Sequence, residues 1–232
     1  MLIMEKQMDI VDFHAHILPG ADHGSDSIET SLWQLSSAQR FGVKRIIATP
    51  HFYPHKHSVE SFIERRNKAY NVLAPHLSGD VEIRLGAEAL ICLGFENIPN
   101  LESLFIEGTR TLLIELPFGY FDDGFCRSVE HMRRQGIDVV LAHADRYSPN
   151  HVEKVIRAGA RLQINAKSLL GIVKRRDVYS WLDSGKVAFL GSDIHGRDKK
   201  AYQLFAKSAY KIRNSIDIIR QSSDKVWEAT NR

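Results

Sequence analysis

Asp9-Ile10-Val11-Asp12-Phe13-His14-Ala15-His16-Ile17-Leu18-Pro19-Gly20 sets a short apolar run directly before two histidines one residue apart. The run from Asp9 to Phe13 has the length and composition of a buried strand. In an extended segment, residues i and i+2 project to the same side. His14 and His16 are therefore expected to face one point just past the strand end. The same pattern, an apolar run closing on a side chain able to bind metal, recurs to the end of the chain.

Working outward, Arg45–Thr49 is the second run and leads to His51. Val81–Leu85 is the third, continuing towards Leu90 and carrying Glu88. Thr111–Leu116 is the fourth and carries Glu115. Asp138–Ala142 is the fifth and leads to His143. Arg161–Ile164 is the sixth. Lys186–Leu190 is the seventh and leads to Asp193 and His195. Helical periods lie between the runs. Ser27–Phe41 places Ile28, Leu32, Leu35 and Ala38 on one face before Gly42. Ser58–Leu77 spaces Val59, Phe62, Ile63 and Tyr70 likewise. Gly124–Arg134 and Asn150–Arg157 stop at Gly136 and Gly159, Lys199–Gln221 is mostly helical, and Cys92–Gly108 reads as irregular. Strands alternating with helices imply βαβ units and parallel pairing. Seven such units predict an α/β fold in one domain spanning 1–232, a distorted seven-stranded parallel (β/α)7 barrel.

In such a barrel the C-terminal strand ends meet at one face, where active sites lie. His14, His16, His51, Glu88, Glu115, His143, Asp193 and His195, from six strands, would then converge. Singly these residues mean little: a lone H-x-H is a weak signal, and a carboxylate at a strand end is commonly a helix cap. As one constellation in one register they predict a metal site. Nitrogen and oxygen donors without thiolate suit Mn, Fe or Zn. His55, His57, His76, His131 and His151 lack this placement and read as surface, although the loop of His55 and His57 borders the site.

Composition narrows the chemistry. Lys and Arg number 31 against 28 Asp and Glu, a formal charge of +3. The basic residues are scattered in short groups, the densest being Lys174-Arg175-Arg176, which argues against a nucleic-acid partner. A mild positive bias suits an anionic substrate. Cys92 and Cys126 are far apart, so a disulfide framework is not expected and a reducing compartment is. The stretch Met1–Asp9 carries charge too early for a signal peptide, and no segment has the length of a membrane span, which predicts a cytoplasmic protein. Cysteine-phosphatase chemistry needs an Arg six residues after the Cys; those places hold Met132 and Ile98. No P-loop and no G-x-S-x-G elbow occur.

The ordered set H-x-H-I-L-P-G, I-A-T-P-H, G-x-E, L-I-E-L-P, A-H-x-x-R-Y, Q-I-N-A-x-S-L-L-G and S-D-x-H resembles the polymerase-and-histidinol-phosphatase (PHP) superfamily. Within it the set is most similar to the manganese-dependent protein-tyrosine phosphatases of bacterial capsule and exopolysaccharide operons. The resemblance runs from about His14 to His195. It implies a PHP-like barrel, three Mn2+ ions (Fe or Zn being alternatives), and hydrolysis of phosphotyrosine on a tyrosine kinase. It implies all eight residues as ligands and Arg146, from A-H-x-x-R-Y, as the catalytic cation that binds phosphate. The family usually has Asp-Asp-Gly after I-L-P-G, its second Asp a ligand. Here Asp22-His23-Gly24 stands instead, so either His23 replaces that Asp or Asp22 serves. A second family Arg has two candidates, Arg197 and Lys200. Rival readings are a PHP hydrolase of a small ester such as histidinol phosphate, an amidohydrolase, a PHP nuclease and a kinase-docking module without activity. Glu115, where an amidohydrolase would typically carry a modified Lys, opposes the second. The modest charge opposes the nuclease, and the full ligand complement opposes the docking module.

Overall fold

The computed structural model describes residues 10–171, 176–213 and 216–229. Asp9 and the stretch before it, and Lys174 and Arg175 of the basic run, lie outside the described residues. The chain is an α/β protein in which every strand pairing is parallel. The strands are β1 (Val11–Ala15), β2 (Arg45–Ala48), β3 (His51–Phe52), β4 (Glu82–Leu85), β5 (Glu88–Leu90), β6 (Thr111–Glu115), β7 (Asp138–Leu141), β8 (Arg161–Asn165) and β9 (Val187–Gly191). They form two sheets, ordered β1-β2-β4 and β3-β5-β6-β7-β8-β9.

The second and third apolar runs each appear as two strand segments. Pro50 has no N–H to give a ladder, and the second run breaks there into β2 and β3. The third breaks at Gly86-Ala87 into β4 and β5. Backbone bonds bridge both gaps: Thr49 N–H donates to Ala15 O at 2.9 Å, Gly86 N–H to Ala48 O at 2.9 Å and Glu88 N–H to Pro50 O at 3.1 Å. No ladder joins β9 to β1 among the described residues. Their extensions do touch, through Asp193 N–H to His14 O at 2.8 Å and His16 N–H to Ile194 O at 3.3 Å.

The helices are α1 (Ile28–Arg40), α2 (Val59–Leu73), α3 (Asp123–Arg134), α4 (Pro149–Arg157), α5 (Arg176–Asp183), α6 (Ala201–Lys211) and α7 (Ile216–Ala229). Ser27, Ser58, Asp122 and Ser148 cap the first four, each side-chain oxygen accepting a first-turn N–H. The helix α5 was not expected from the sequence, and the predicted Lys199–Gln221 helix resolves into α6 and the start of α7. Cys92–Gly108 is irregular as expected, with short 3-10 turns at Phe95–Asn97 and Leu101–Leu104. No described helix is long and apolar enough to cross a membrane.

Two apolar clusters sort the strand faces. Leu112, Ile114, Val139, Leu141, Leu162 and Ile164 pack outward against helices. Val11, Phe13, Ile47, Leu113, Val140 and Phe189 pack inward, with the Phe13 and Phe189 rings stacked at 3.7 Å. Val226 and Trp227 of α7 belong to this inner cluster and form its floor. Arg45 and Arg84 lie over the Trp227 ring. The site begins where the inner apolar side chains stop: above Leu113 comes Glu115, and above Ile47 come Thr49 and His51, at alternate positions.

Strand β1 departs from simple alternation. Asp12 pairs with Ile46 and Ala15 with Ala48, three steps against two, so one residue is bulged. A bulge re-aims the side chains beyond it. Phe13 therefore fills the inner cluster while His14 and His16 still reach the centre.

Candidate metal centre

Six of the eight predicted ligands are buried; Glu115 and His195 are partly exposed at the mouth, the Glu115 side chain being 15% accessible. Glu88 is their hub. Its Oε2 lies 3.0 Å from His14 Nε2, 3.2 Å from His16 Nε2 and 3.0 Å from His51 Nδ1. Its Oε1 is 2.6 Å from His143 Nε2. Three groups could each hold an ion: His14, His16 and Glu88; His51, Glu88 and Glu115; and His16, His51 and His195, with ligand atoms within 4.8 Å of one another. The groups share His16, His51 and Glu88, so they are contiguous.

The hydrogen bonding around the rings shows what this centre needs. His14 Nδ1 is 3.1 Å from Gln163 Oε1, which also accepts from His143 N–H at 2.7 Å. His16 Nδ1 is 2.7 Å from Asp22 Oδ2. An oxygen acceptor at each Nδ1 places the proton there and leaves the lone pair on Nε2. Those two Nε2 atoms face each other at 3.0 Å. Two lone pairs at that distance repel unless a cation or a proton sits between them. Glu88 Oε2, beside both, has no hydrogen-bond partner, and neither has His143 Nδ1 or His51 Nδ1. The residues fit a divalent cation: convergent donors of mixed type, with His14 and His16 oriented from behind by Gln163 and Asp22.

Charge points the same way. Burial pulls the His16 ring down, but the Asp22 and Glu88 carboxylates outweigh it and hold it up at about 10. Burial likewise opposes the charge on His51, and Glu115 and Glu88 raise it to about 9. Burial pushes Glu88 up, yet His14, His143 and His16 hold it well below the usual carboxylate range. His195 behaves oppositely. Burial and the His16 charge press it down to about 4, so it is neutral and free to donate a lone pair at neutral pH.

Backbone strain marks two of the predicted ligands. His143 and Asp193 have φ of +33° and +52°, a left-handed conformation that costs energy in a residue with a Cβ. Asp193 turns Oδ1 towards His14 and His16, at 3.8 and 3.6 Å. Its Oδ2 accepts from Asn165 Nδ2 at 2.9 Å and from Arg146 Nη2. Arg146 thus stands at the rim, half exposed, tied to the centre through Asp193.

The remaining predicted residues fall differently. Asp22 is fully engaged: Oδ2 also accepts from His51 N–H at 3.0 Å, and Oδ1 accepts from Gly24 N–H at 2.8 Å. It orients His16. His23 is exposed, its ring 4.8 Å from His51 and 4.8 Å from His195, outside the three groups but bordering one. Gly24 lets this loop pass, since a Cβ there would lie 2.0 Å from His16 Cβ. Arg197 is exposed, its Nε 3.4 Å from Thr30 Oγ1 on the first turn of α1, and Lys200 is exposed just before α6. His76 and His131 are surface residues, as is His55 beside Tyr53. His57 is half-buried, and His151 stacks on Phe121 at 4.2 Å.

Asp12, Gln163 and Asn165 were not singled out from the sequence as site residues. Asp12 is buried beneath His14, where its Oδ1 accepts from Ser192 N–H at 2.8 Å and ties β1 to the segment after β9. Gln163 and Asn165 alternate with Leu162 and Ile164 in an apolar strand; polar residues on the inward parity were the available signal. Gln163→Leu keeps the volume but leaves the His14 and His143 donors unpaired. Its metal affinity should fall about 10–100-fold, as for other outer partners of metal-bound histidine. Titration with a competing chelator measures this, and parental affinity would remove Gln163 from the centre.

Known proteins resemble this chain in sequence and in fold. The chain is 26% identical over 201 residues to the tyrosine-protein phosphatase YwqE of Bacillus subtilis, covering 80% of this chain and 77% of the relative. It is 29% identical over 210 residues to the putative tyrosine-protein phosphatase CapC of Staphylococcus aureus, covering 84% and 80%. In three dimensions it resembles a solved structure from work on YwqE of Bacillus subtilis and CpsB of Streptococcus pneumoniae, described as metal-dependent tyrosine phosphatases. The TM-score is 0.76 at 22% identity, covering 96% of this chain and 94% of the other. That likeness establishes a common fold. Residues 10–220 match the family described as capsular polysaccharide synthesis, CpsB/CapC, and the chain belongs to that family.

Proposed function

We propose that this chain is a metal-dependent protein-tyrosine phosphatase. Its substrate is phosphotyrosine on a bacterial tyrosine kinase that controls capsule or exopolysaccharide synthesis, in the cytoplasm. The pair of imidazole Nε2 atoms at 3.0 Å, both Nδ1 atoms already engaged, carries the reading. We take the strands as seven staves of one distorted PHP-like barrel domain over 1–232, β2 with β3 and β4 with β5 counting once each. The ligands are His14, His16, His23, His51, Glu88, Glu115, His143, Asp193 and His195, holding three Mn2+ ions.

Divalent cations held there supply Lewis acidity, polarising phosphoryl oxygens and making water acidic enough to act as nucleophile near neutral pH. The chain's own residues do the rest. Glu88, Glu115 and Asp193 offset the cation charge. Asp22, Gln163 and Asn165 fix ring and carboxylate orientation. Arg146 Nη2 takes a phosphoryl oxygen and steadies charge developing on it. Arg197, exposed and held by a long bond to Thr30 and the nearby Asp26 charge, swings to a second oxygen. A phenolate leaves readily, so a strong general acid is not required.

Exhaustive chelation should abolish hydrolysis of a phosphotyrosine peptide, and Mn2+ should restore it with release of protons, because His16 and His51 bind protons in the metal-free chain. Apparent affinity should therefore rise with pH up to about 10. Activity that survives complete metal removal would sink the reading. Faster turnover of histidinol phosphate than of the peptide would favour the small-ester alternative.

His23 stands where the family's ligand Asp is expected, and its ring borders the His16, His51 and His195 group. His23→Ala should lose one ion while the others stay, and His23→Asp should regain it. Elemental analysis that finds the parental stoichiometry in His23→Ala refutes the assignment.

A further inference from the structure

Phe118 is the most exposed large apolar side chain of the described residues, 96% accessible. It lies on the loop Pro117–Phe121, which begins two residues after Glu115. Tyr120, on the same loop, is 55% exposed and packs edge-on against Phe125. Leu93, 59% exposed, follows β5, the next strand in the sheet. Phe121 stacks on His151 at the start of α4, after β7. These side chains come from the C-terminal ends of three adjacent strands, so they form one apolar arc on the rim of the mouth. Single exposed apolar residues are ordinary, but a contiguous group beside a binding site marks a contact surface.

The arc is tied to the phosphate end of the site. Leu116 N–H donates to Tyr147 Oη at 3.0 Å, and Tyr147 Oη–H donates back to Leu116 O at 3.3 Å. Tyr147 directly follows Arg146. One turn therefore fixes both the guanidinium and the root of the aromatic loop. The centre itself is buried, with Glu88, His14 and His16 fully inaccessible. A tyrosyl phosphate that reaches Arg146 must enter from the rim, and the polypeptide that carries it must lie across the rim beside this arc.

Resting on the phosphatase reading above, we infer that the arc around Phe118 is the specificity surface for the substrate chain. Phe118 with Leu93 and Tyr120 receives a large apolar side chain next to the phosphotyrosine. The occupant is an extended segment of the phosphorylated protein, held by its phosphate at Arg146 and by that flanking side chain at Phe118. A free aryl phosphate lacks the second contact and ignores it.

The test compares the metal-loaded parent and Phe118→Ala on three substrates: p-nitrophenyl phosphate, a phosphotyrosine peptide with leucine or phenylalanine on both sides, and the same peptide with alanine there. Phe118 is solvent-facing, so its removal leaves the fold intact. In the parent, the apolar-flanked peptide should be preferred over the alanine peptide. Phe118→Ala should raise its KM about tenfold, the size of an interface aromatic's contribution, with kcat kept. The alanine peptide and p-nitrophenyl phosphate should not change. Equal kinetics of parent and variant on all three substrates overturn the inference alone, as does an equal loss on p-nitrophenyl phosphate. A parent that turns over p-nitrophenyl phosphate but neither peptide overturns the protein-phosphatase reading and this inference together.

Discussion

Glu88→Gln is expected to reduce kcat on the order of 10³-fold and to strip at least one metal ion from the chain. The substitution keeps shape and removes one negative charge from a fully buried position. Four imidazole nitrogens lie within 3.2 Å of the carboxylate. Glutamine would turn an amide N–H₂ towards rings whose lone pairs are wanted for a cation, and would leave the cations' charge less balanced. Site electrostatics of this kind account for most of the rate enhancement in phosphoryl transfer. Metal content by elemental analysis and single-turnover kinetics decide the matter. Parental metal content with parental kcat would show that Glu88 is a structural acceptor for four histidines and nothing more.

Arg146→Ala should lower kcat/KM by about 10²–10³-fold, the usual cost of one charge-stabilising donor, while metal content stays. Asp193 would keep its Asn165 hydrogen bond and its strained backbone, so its place in the centre does not depend on the guanidinium. Arg146→Lys should recover only part of the loss, since an ammonium cannot offer the planar fork. Metal analysis separates two explanations. Loss of an ion along with activity would mean that Arg146 acts by holding Asp193 and does not touch phosphate.

The convergence of the histidines and carboxylates was legible because parallel α/β architecture delivers strand ends to one face, and period-two alternation assigns each strand's inward side. His51, Glu88, Glu115 and His143 needed nothing more. The orienting groups were harder to read. Gln163 serves His14 from a strand 149 positions away, and no local pattern announces a partner so distant. The bulge in β1 was hidden for a similar reason, because it exists only as a register against β2. His23 and Asp22 could not be told apart on spacing; Asp22 hydrogen-bonds the His16 ring and two backbone N–H groups, and His23 is exposed. The split at Gly86 and the short helix α5 reflect tertiary demands that outweigh local preference.

The floor laid by α7 has a bearing on synthesis. Val226 and Trp227 complete the apolar cluster that includes Val11 and Phe13, so β1 finishes its packing only once α7, about 200 residues further along the chain, has formed. Long-range closures of this kind slow folding and leave apolar edges open meanwhile. Until α7 has formed, the inner faces of the strands that carry the histidines lack two of their packing partners.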